Sequence, residues 1–397
     1  MPIPPLPIVS GLTGPDMIIL KHLLKGNTQQ EILALDREKA EKLPDTDQER
    51  EILAKALEAL NDEHDANFQP TVFLSWDVKD FPTKENPLRG ILDAYIKWAS
   101  SVARRPTDVV FVTHLILYFT TTLPSAIYLF HNFTWAHGML HTIMTAWYSD
   151  PLMGHTWNSY YYHHVKHHHV EGNGPNDLSS TIRLQRDEWK SLAYYVGRFA
   201  FLIWFDLPMY FIKTNKRQHA FHAAFWELAS WALVTTAIKS NWRAALFVFV
   251  MPFCLIRLGL MIGNFGQHAF VDEVDPDSDY RSSITLIDVP SNRFCFNDGY
   301  HTAHHLNPLR HWRDQPLSFI KGNDQYVNGR ALVFRNIDYL EITYRLMRKD
   351  YDHLARCLVP ISQEQRALSH EEVKAMLRRK TRRFSEEEIR EKWKVGK

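Results

Sequence analysis

The distribution of apolar residues divides the chain into two polar ends and an apolar middle. Residues 109–147 contain no Asp, Glu, Lys or Arg, a run about twice the roughly 20 residues that one helical membrane crossing needs. Pro124 lies inside this run and is a candidate position for a hairpin between two short crossings. The run therefore predicts one or two membrane helices.

Three further apolar segments follow along the chain: residues 191–212, 223–238 and 242–265. A short polar turn joins the last two, and this pattern predicts a helical hairpin. The first segment contains Arg198 and Asp206, charges that are costly in a bilayer, and it is predicted to be an interfacial or re-entrant helix. Together the segments predict an all-α integral membrane helical bundle of about four crossings.

The polar ends predict peripheral helices. Residues 1–104 read as a polar arm with amphipathic helices at about 45–63 and 88–102, the first of which we expect to be solvated or to lie at an interface. Residues 321–397 form a charged helical extension whose last part is expected to be a peripheral helix. The predicted membrane domain is residues 105–320.

Charge and cysteine content exclude several classes of protein. The 46 Lys and Arg residues nearly balance the 45 Asp and Glu residues, so no basic surface suggests nucleic acid. Three cysteines cannot form a disulfide framework, and none has the spacing of a zinc site. The candidate chemistry rests instead on histidine.

Three histidine clusters lie beside the apolar segments. The first box is His137 and His141, the second box is the run 163–169 (HHVKHHH), and the third box is His301, His304 and His305. Buried imidazoles need partners for their ring nitrogens, and neutral imidazole is a common ligand of divalent transition metals. The clusters therefore predict a polynuclear metal site. A histidine-rich metal transporter is a weaker alternative, because the second and third boxes lie in polar segments outside the clearest crossings.

Several stretches make this pattern resemble the membrane fatty acid desaturase and hydroxylase superfamily, over about residues 105–320. His164-Val-Lys-His-His168-His169, followed by Pro175-x-Asp177, resembles a box of the alkane monooxygenases in that superfamily. His301-Thr-Ala-His304-His305-Leu-Asn-Pro resembles their third box. Asn264-Phe-Gly-Gln-His268 is similar to an Asn-x-x-x-His element that supplies a further ligand.

The resemblance implies two iron ions in a cytosolic helical cap. The implied ligands, carried over residue by residue, are His137, His141, His164, His168, His169, His268, His301, His304 and His305. Asn264 is implied to act on the metal indirectly, through a water molecule. An alternative register of the second box, His164-x-x-His167-His168, makes His167 a ligand. Asp177 and Asp298 are candidates to orient ligand rings.

The implied reaction is oxygen-dependent desaturation of a fatty acyl chain, with hydroxylation of an acyl or alkane chain as the alternative. Removing hydrogen from an unactivated methylene group needs a metal-based oxidant, because no side chain is strong enough. Two electrons per turnover must come from outside. The chain lacks an HPGG heme-binding signature, so a separate donor of the cytochrome b5, ferredoxin or rubredoxin kind is expected. The expected location is the endoplasmic reticulum membrane in a eukaryote and the cytoplasmic membrane in a bacterium.

Overall fold

The computed structural model describes residues 12–25, 47–74, 76–81, 88–148, 156, 158, 160–287, 289 and 291–393. In this part of the chain, three helices are long and apolar enough to cross a membrane: Val109–His131, Trp189–Lys213 and Arg217–Gln267. The last has 51 residues, enough for two crossings. The protein is an all-α membrane bundle with a mainly helical cap, as the sequence predicts.

The longest of these helices folds back on itself at Asn241, whose backbone is not helical (φ −153°, ψ 95°). The segments before and after this break form two arms, and residues that are about equally far from the break along the chain lie next to each other. The rings of Trp231 and Phe253 lie 5.6 Å apart, and Glu227 faces Arg257. The predicted hairpin with its turn near residue 241 is therefore confirmed.

The first apolar run turns later than predicted. Pro124 does not mark a hairpin, because Val109–His131 continues through it, with a π-helical stretch at Tyr118–Thr122 just before the proline. A wider turn is a common way for a helix to accommodate a residue without an N–H group. The connection lies at residues 132–134, and Trp135–Tyr148 follows as a separate helix.

The segment around Arg198 is also longer than an interfacial helix requires. Trp189–Lys213 is one continuous helix of 25 residues that is apolar enough to cross. Arg198 Nη2 donates a 2.8 Å hydrogen bond to Asp206 on the same helix, and its Nη1 donates to the carbonyl of Leu178. Since the two charges satisfy each other, the helix carries them at a lower cost than isolated charges would have.

The remaining helices belong to the polar ends and the cap. They are Gly14–Lys25, Asp47–Ala59, Arg89–Val102, His169–Glu171, Asp279–Ser282, Ser291–Phe294, His301–Leu306, Gln315–Lys321, Asn323–Asn328, Tyr339–Met347, Tyr351–Cys357, Gln363–Arg366, His370–Lys380 and Glu386–Lys392, with a π-helix at Tyr161–His168 and 3₁₀ turns at Val78–Asp80 and Trp312–Asp314. Arg89–Val102 matches the predicted second amphipathic helix to within a residue.

A small sheet that the sequence did not predict lies at the centre of the cap. Ile284–Ile287 pairs in parallel with Leu332–Arg335, which pairs antiparallel with Leu358–Val359. Alternate side chains enter two different hydrophobic clusters: Leu286 joins the one that reaches the membrane helices, and Ile287 joins the one that holds the N-terminal helices. The sheet therefore separates two cores, as a sheet buried on both faces does. A second pair of short strands, Thr71–Phe73 and Trp76–Asp77, lies near the N-terminal end.

Two helices expected to be peripheral are packed into these cores. Leu57, on Asp47–Ala59, is 2% exposed and belongs to the N-terminal cluster, so this helix is not simply solvated. In the C-terminal extension Leu377 is fully buried, and Lys380 donates a 2.7 Å hydrogen bond to Asp272. The three predicted domain boundaries stay a prediction, but residues from all three segments share the two cores.

Candidate metal centre

The second box lies on the π-helix Tyr161–His168 and at its end, where His169 begins the next short helix, and this geometry places His164, His168 and His169 on one face. A π-helix has a wider turn than an α-helix, and such turns are frequent at functional sites. Residues four and five apart therefore point the same way. The rings of His164 and His169 are 4.5 Å apart, and those of His164 and His168 are 5.6 Å apart. These three rings lie close to the third box: the ring of His164 is 5.4 Å from that of His304, and the ring of His168 is 5.3 Å from that of His305.

The third box lies on the short helix His301–Leu306, where residues three and four apart share a face. His268 reaches the same place because it follows the membrane helix directly. That helix passes very close to Tyr339–Met347: a Cβ atom at Gly266 would lie 2.5 Å from Oγ1 of Thr343. A glycine is needed there, and the close approach helps to set the position of His268.

Six of the nine predicted ligands meet in two neighbouring groups, and a seventh lies beside them. His164, His169 and His304 form one, and His168, His268 and His305 form the other; within each group the nearest ring nitrogens all lie within 4.8 Å of one another. The rings of His169 and His305 are 4.9 Å apart, so the groups adjoin. His301 lies beside the second group, with its Nε2 3.0 Å from Nε2 of His268.

The chemistry of these nitrogens fits metal binding. Nε2 of His168 and Nε2 of His305 are buried and have no hydrogen-bond partner among the described residues, although buried polar atoms are normally paired. Nε2 of His164 lies 3.0 Å from that of His169 and 3.2 Å from that of His304. Ligand atoms on opposite sides of one ion stand about 4 Å apart when metal–nitrogen bonds are about 2.0–2.1 Å. The residues present therefore fit one ion in each group.

Burial keeps His304 and His268 neutral, which is the form of imidazole that binds a metal. Burial, with a further contribution from His168, lowers the pKa of His304 to about 4. Burial, again with a further contribution from His168, lowers the pKa of His268 to about 3. At neutral pH both rings therefore offer a lone pair.

Asp177 is the best-defined partner of the ligand rings. One of its oxygens lies 2.7 Å from Nδ1 of His168, and the other accepts a hydrogen bond from the backbone N–H of Ser179. Burial alone raises the pKa of this carboxyl, but the electrostatic interaction and hydrogen bond with His168 outweigh it and hold the pKa well below its usual value. Asp177 therefore orients His168 as a carboxylate.

Asp298, the other predicted acid, has a different position. It accepts a 2.7 Å hydrogen bond from Nε2 of Gln267 and lines a cavity beside the histidines. Burial raises its pKa to about 6. Its described contacts include no ligand histidine, so the structure places it at the edge of the site.

Asp279 was not singled out from the sequence. Its Oδ1 lies 3.5 Å from Nδ1 of His305, whose side chain is only 3% exposed. Nothing in the sequence pattern marks it, because it lies far outside the third box and reaches His305 only through the packing of two short helices. A search for acids near the boxes along the chain could not have found it.

Asn264 and His167 are bound to other partners. Asn264 Nδ2 donates a 2.6 Å hydrogen bond to the hydroxyl of Tyr195, which donates to the carbonyl of Ser179. Nε2 of His167 accepts a 2.8 Å hydrogen bond from the backbone N–H of Leu178. His167 is in neither group of histidines, whereas His164, His168 and His169 each belong to one.

The first box lies apart from the two groups. His137 is exposed, with its ring 5.6 Å from that of Tyr128. His141 is 3% exposed; its Nδ1 is hydrogen-bonded to Oγ of Ser125, and its Nε2 is buried without a partner among the described residues. Neither residue belongs to the groups, so their role as ligands stays a prediction.

A cavity of about 800 Å³ is lined by several of the histidines and by residues of the membrane helices. Its volume is within the range of about 300–1,000 Å³ typical of ligand pockets. Its wall includes His164, His168 and His301 at one end and mainly apolar side chains beyond them, among them Ile203, Trp204, Leu207, Phe253, Leu260 and Met261. Such a cavity suits a long apolar molecule whose reacting part lies against the histidines.

Comparison with known proteins gives one match. The sequence model of the fatty acid desaturase family matches residues 110–321, more than half of the 397-residue chain. No curated protein matches significantly. No solved structure matches significantly either.

Proposed function

The chain belongs to the membrane fatty acid desaturase and hydroxylase family, and on this premise we propose that it is a di-iron desaturase. Family membership makes it an oxidoreductase of the desaturase or hydroxylase type that acts on a fatty acyl substrate in a membrane context. The specific proposal is oxygen-dependent formation of a carbon–carbon double bond in the acyl chain. The observation that carries it is the pair of adjoining histidine groups at the end of a long apolar cavity.

The proposed iron ligands are the six histidines of the two groups, their neighbour His301, and His137 and His141, which complete the set of nine. His141 is supported by its geometry, because one ring nitrogen is held by Ser125 and the other is buried and unpaired among the described residues. His137 rests on the resemblance alone. Bound iron would supply activation of O₂ and removal of hydrogen from an unactivated carbon.

The protein's own residues hold and orient the reacting parts. Asp177 fixes the ring of His168 at 2.7 Å, and Asp279 lies 3.5 Å from the ring of His305. Carboxylates in such positions set the orientation and basicity of ligand imidazoles. The apolar wall formed by Ile203, Leu207 and Met261 offers an acyl chain an apolar surface in the cavity that the histidines also line.

The positions of His164, His168 and His169 support the alkane-monooxygenase-like register of the second box. Because that register is shared with hydroxylating relatives, hydroxylation of an acyl or alkane chain is the second candidate function. The same ligands serve both reactions. The outcome depends on whether the substrate radical loses a second hydrogen or captures oxygen.

Either reaction needs electrons from outside the chain. No HPGG signature is present, and we propose a separate small electron carrier of the cytochrome b5, ferredoxin or rubredoxin kind that docks on the polar cap. The proposed location is the endoplasmic reticulum membrane if the source is eukaryotic and the cytoplasmic membrane if it is bacterial.

Isotope labelling tests the proposed reaction. Membranes that contain the protein, a donor system and a deuterated acyl substrate should consume O₂ and give an olefin that has lost deuterium from adjacent carbons. With ¹⁸O₂, no label should enter the lipid product. An alcohol that carries ¹⁸O would reject desaturation in favour of hydroxylation.

A further inference from the structure

The wall of the cavity carries one charged pair, Glu227 and Arg257, among its apolar residues. The two residues lie on opposite arms of the membrane hairpin, and their side chains are 8% and 12% exposed. Ionisable residues within membrane helices are costly and usually functional. None of the roles described above for the metal centre uses this pair.

The pair is not closed by a hydrogen bond. Nη1 of Arg257 lies 3.9 Å from Oε1 of Glu227, which is too long for a hydrogen bond. The carboxylate of Glu227 is bound instead by Oγ1 of Thr156 at 2.5 Å and by Nε1 of Trp231 at 3.1 Å. No N–H group of Arg257 donates a hydrogen bond to a described residue, and the side chain lines the cavity although its Nη1 is itself buried. A charged donor without an acceptor is expensive, so the cavity wall offers a site for an oxygen atom of a ligand.

This free donor lies close to the metal centre. The guanidinium of Arg257 packs over the rings of Phe199 and Phe253, at 5.1 Å and 4.8 Å from their centroids. The ring of Phe199 is in turn 4.8 Å from that of His163, which stacks against His168. A polar group bound by Arg257 therefore lies only a few side chains from His168.

We propose that Arg257 binds the carbonyl oxygen of a neutral acyl derivative, such as an ester, and that the free carboxylate form is disfavoured. The proposal rests on the proposed function and names the substrate class of the same cavity. Glu227 already balances the charge of Arg257, so a carboxylate in the site would place two like charges close together in a medium of low dielectric constant. A carbonyl oxygen accepts the hydrogen bond without adding charge.

Equilibrium binding to the purified full-length protein tests this assignment. The probe is a radiolabelled long-chain methyl ester, with the free acid and the alkane of equal length as competitors. Oxygen and electron donor are left out, so no turnover occurs. Arg257→Gln should weaken ester binding about tenfold or more, since hydrogen bonds with one charged partner contribute that much, and should leave alkane binding unchanged. Arg257→Lys keeps the positive charge beside Glu227 and should therefore lose less affinity for the ester than Arg257→Gln does.

Arg243→Gln is the matched control. Arg243 is an exposed arginine on the same hairpin, it packs over Trp242, and it is not part of the cavity wall. This variant should bind all three ligands like the wild type. Glu227→Gln should raise the affinity for the free acid, because the positive charge of Arg257 is then unbalanced, while ester binding changes little.

Two results would overturn the proposal. If Arg257→Gln weakened ester, acid and alkane binding equally, the pair would be structural. If the wild type bound the acid more tightly than the ester and lost that preference in Arg257→Gln, the ligand would be a carboxylate. Neither result depends on turnover, so an alcohol product or an inactive protein would reject the proposed function and leave this inference to be decided by binding alone.

Discussion

The cap side and the membrane side of the proposed metal centre are held in different ways. On the cap side, the ligand nitrogens of His168 and His305 face their group while the opposite ring nitrogens face Asp177 and Asp279. On the membrane side, the one hydrogen bond of the His141 ring within the described part of the chain is to Ser125, and His137 is exposed.

The difference follows from what surrounds each box. The second box, the third box and His268 lie where the membrane helices meet a cap with a central sheet and two hydrophobic clusters. The helix Trp135–Tyr148 has largely exposed apolar residues, such as Met139, Leu140 and Ile143. The protein alone therefore positions the cap-side nitrogens, whereas we expect a first-box ligand to need the ion itself to bring it into the site.

Removing one histidine from each side tests this comparison most strongly. His304→Ala should abolish turnover and lower the iron content, because it removes a member of a three-histidine group. His141→Ala should do the same if the first box completes the site. His131→Ala, an exposed histidine outside the boxes, is the control and should keep wild-type activity. Turnover of acyl substrate and iron per chain are the measurements. Full activity in His141→Ala would remove the first box from the ligand set.

The register of the second box can be tested by two neighbouring substitutions. His169→Ala should be inactive, since its ring lies in a group with His164 and His304. His167→Ala should keep measurable activity, because it loses the hydrogen bond from Leu178 and the contact with Asp177 but removes no member of the two groups. Turnover rates of the two purified variants decide between the two registers. Activity in His169→Ala together with its loss in His167→Ala would favour the other register.

The acids that orient the cap-side ligands should have graded effects. Asp177→Ala should lower activity about 10–100-fold, the usual cost of losing a carboxylate behind a metal-bound imidazole. Asp279→Ala should cost less, because its distance to His305 is 3.5 Å rather than 2.7 Å and its side chain is 33% exposed. Asp352→Ala, on the surface of the cap, should have no effect. Equal activity in Asp177→Ala and Asp352→Ala would be inconsistent with the proposed role of Asp177.

The smallest effect on activity, with a clear effect on stability, is expected in the C-terminal extension. Leu377→Ala should destabilise the protein by about 2–5 kcal/mol, since Leu377 is fully buried in the cluster that reaches the membrane helices. Leu140→Ala is the matched change on the first-box helix, where the side chain is 56% exposed, and should change stability little. Thermal unfolding in detergent compares them. An unchanged Tm in Leu377→Ala would mean that the extension is peripheral after all.

Local patterns in the sequence predicted the features that depend on local physics. The polar turn around Asn241 predicted the hairpin, because a break between two apolar runs depends only on residues that are adjacent in the sequence. The histidine boxes predicted six of the seven residues that the structure brings together, and the family resemblance added His268. The prediction of a hairpin at Pro124 was wrong, because a π-helical stretch before the proline lets the helix continue through it.

Contacts between distant segments were beyond the reach of the sequence pattern. Asp279 reaches His305 only after two short helices pack together. Leu57 and Leu377 lie on helices whose charged faces suggested solvent exposure, yet their apolar faces enter the two cores. The small sheet was missed for the same reason, since its strands are short apolar runs that resemble buried helical segments.

The metal content of active protein tests the central claim most directly. The account predicts about two iron ions per chain, with activity that rises in proportion to iron when the metal-depleted protein is reconstituted. It also predicts that His268→Ala holds less iron and is inactive. Stoichiometric zinc with full activity in iron-depleted protein would contradict the account.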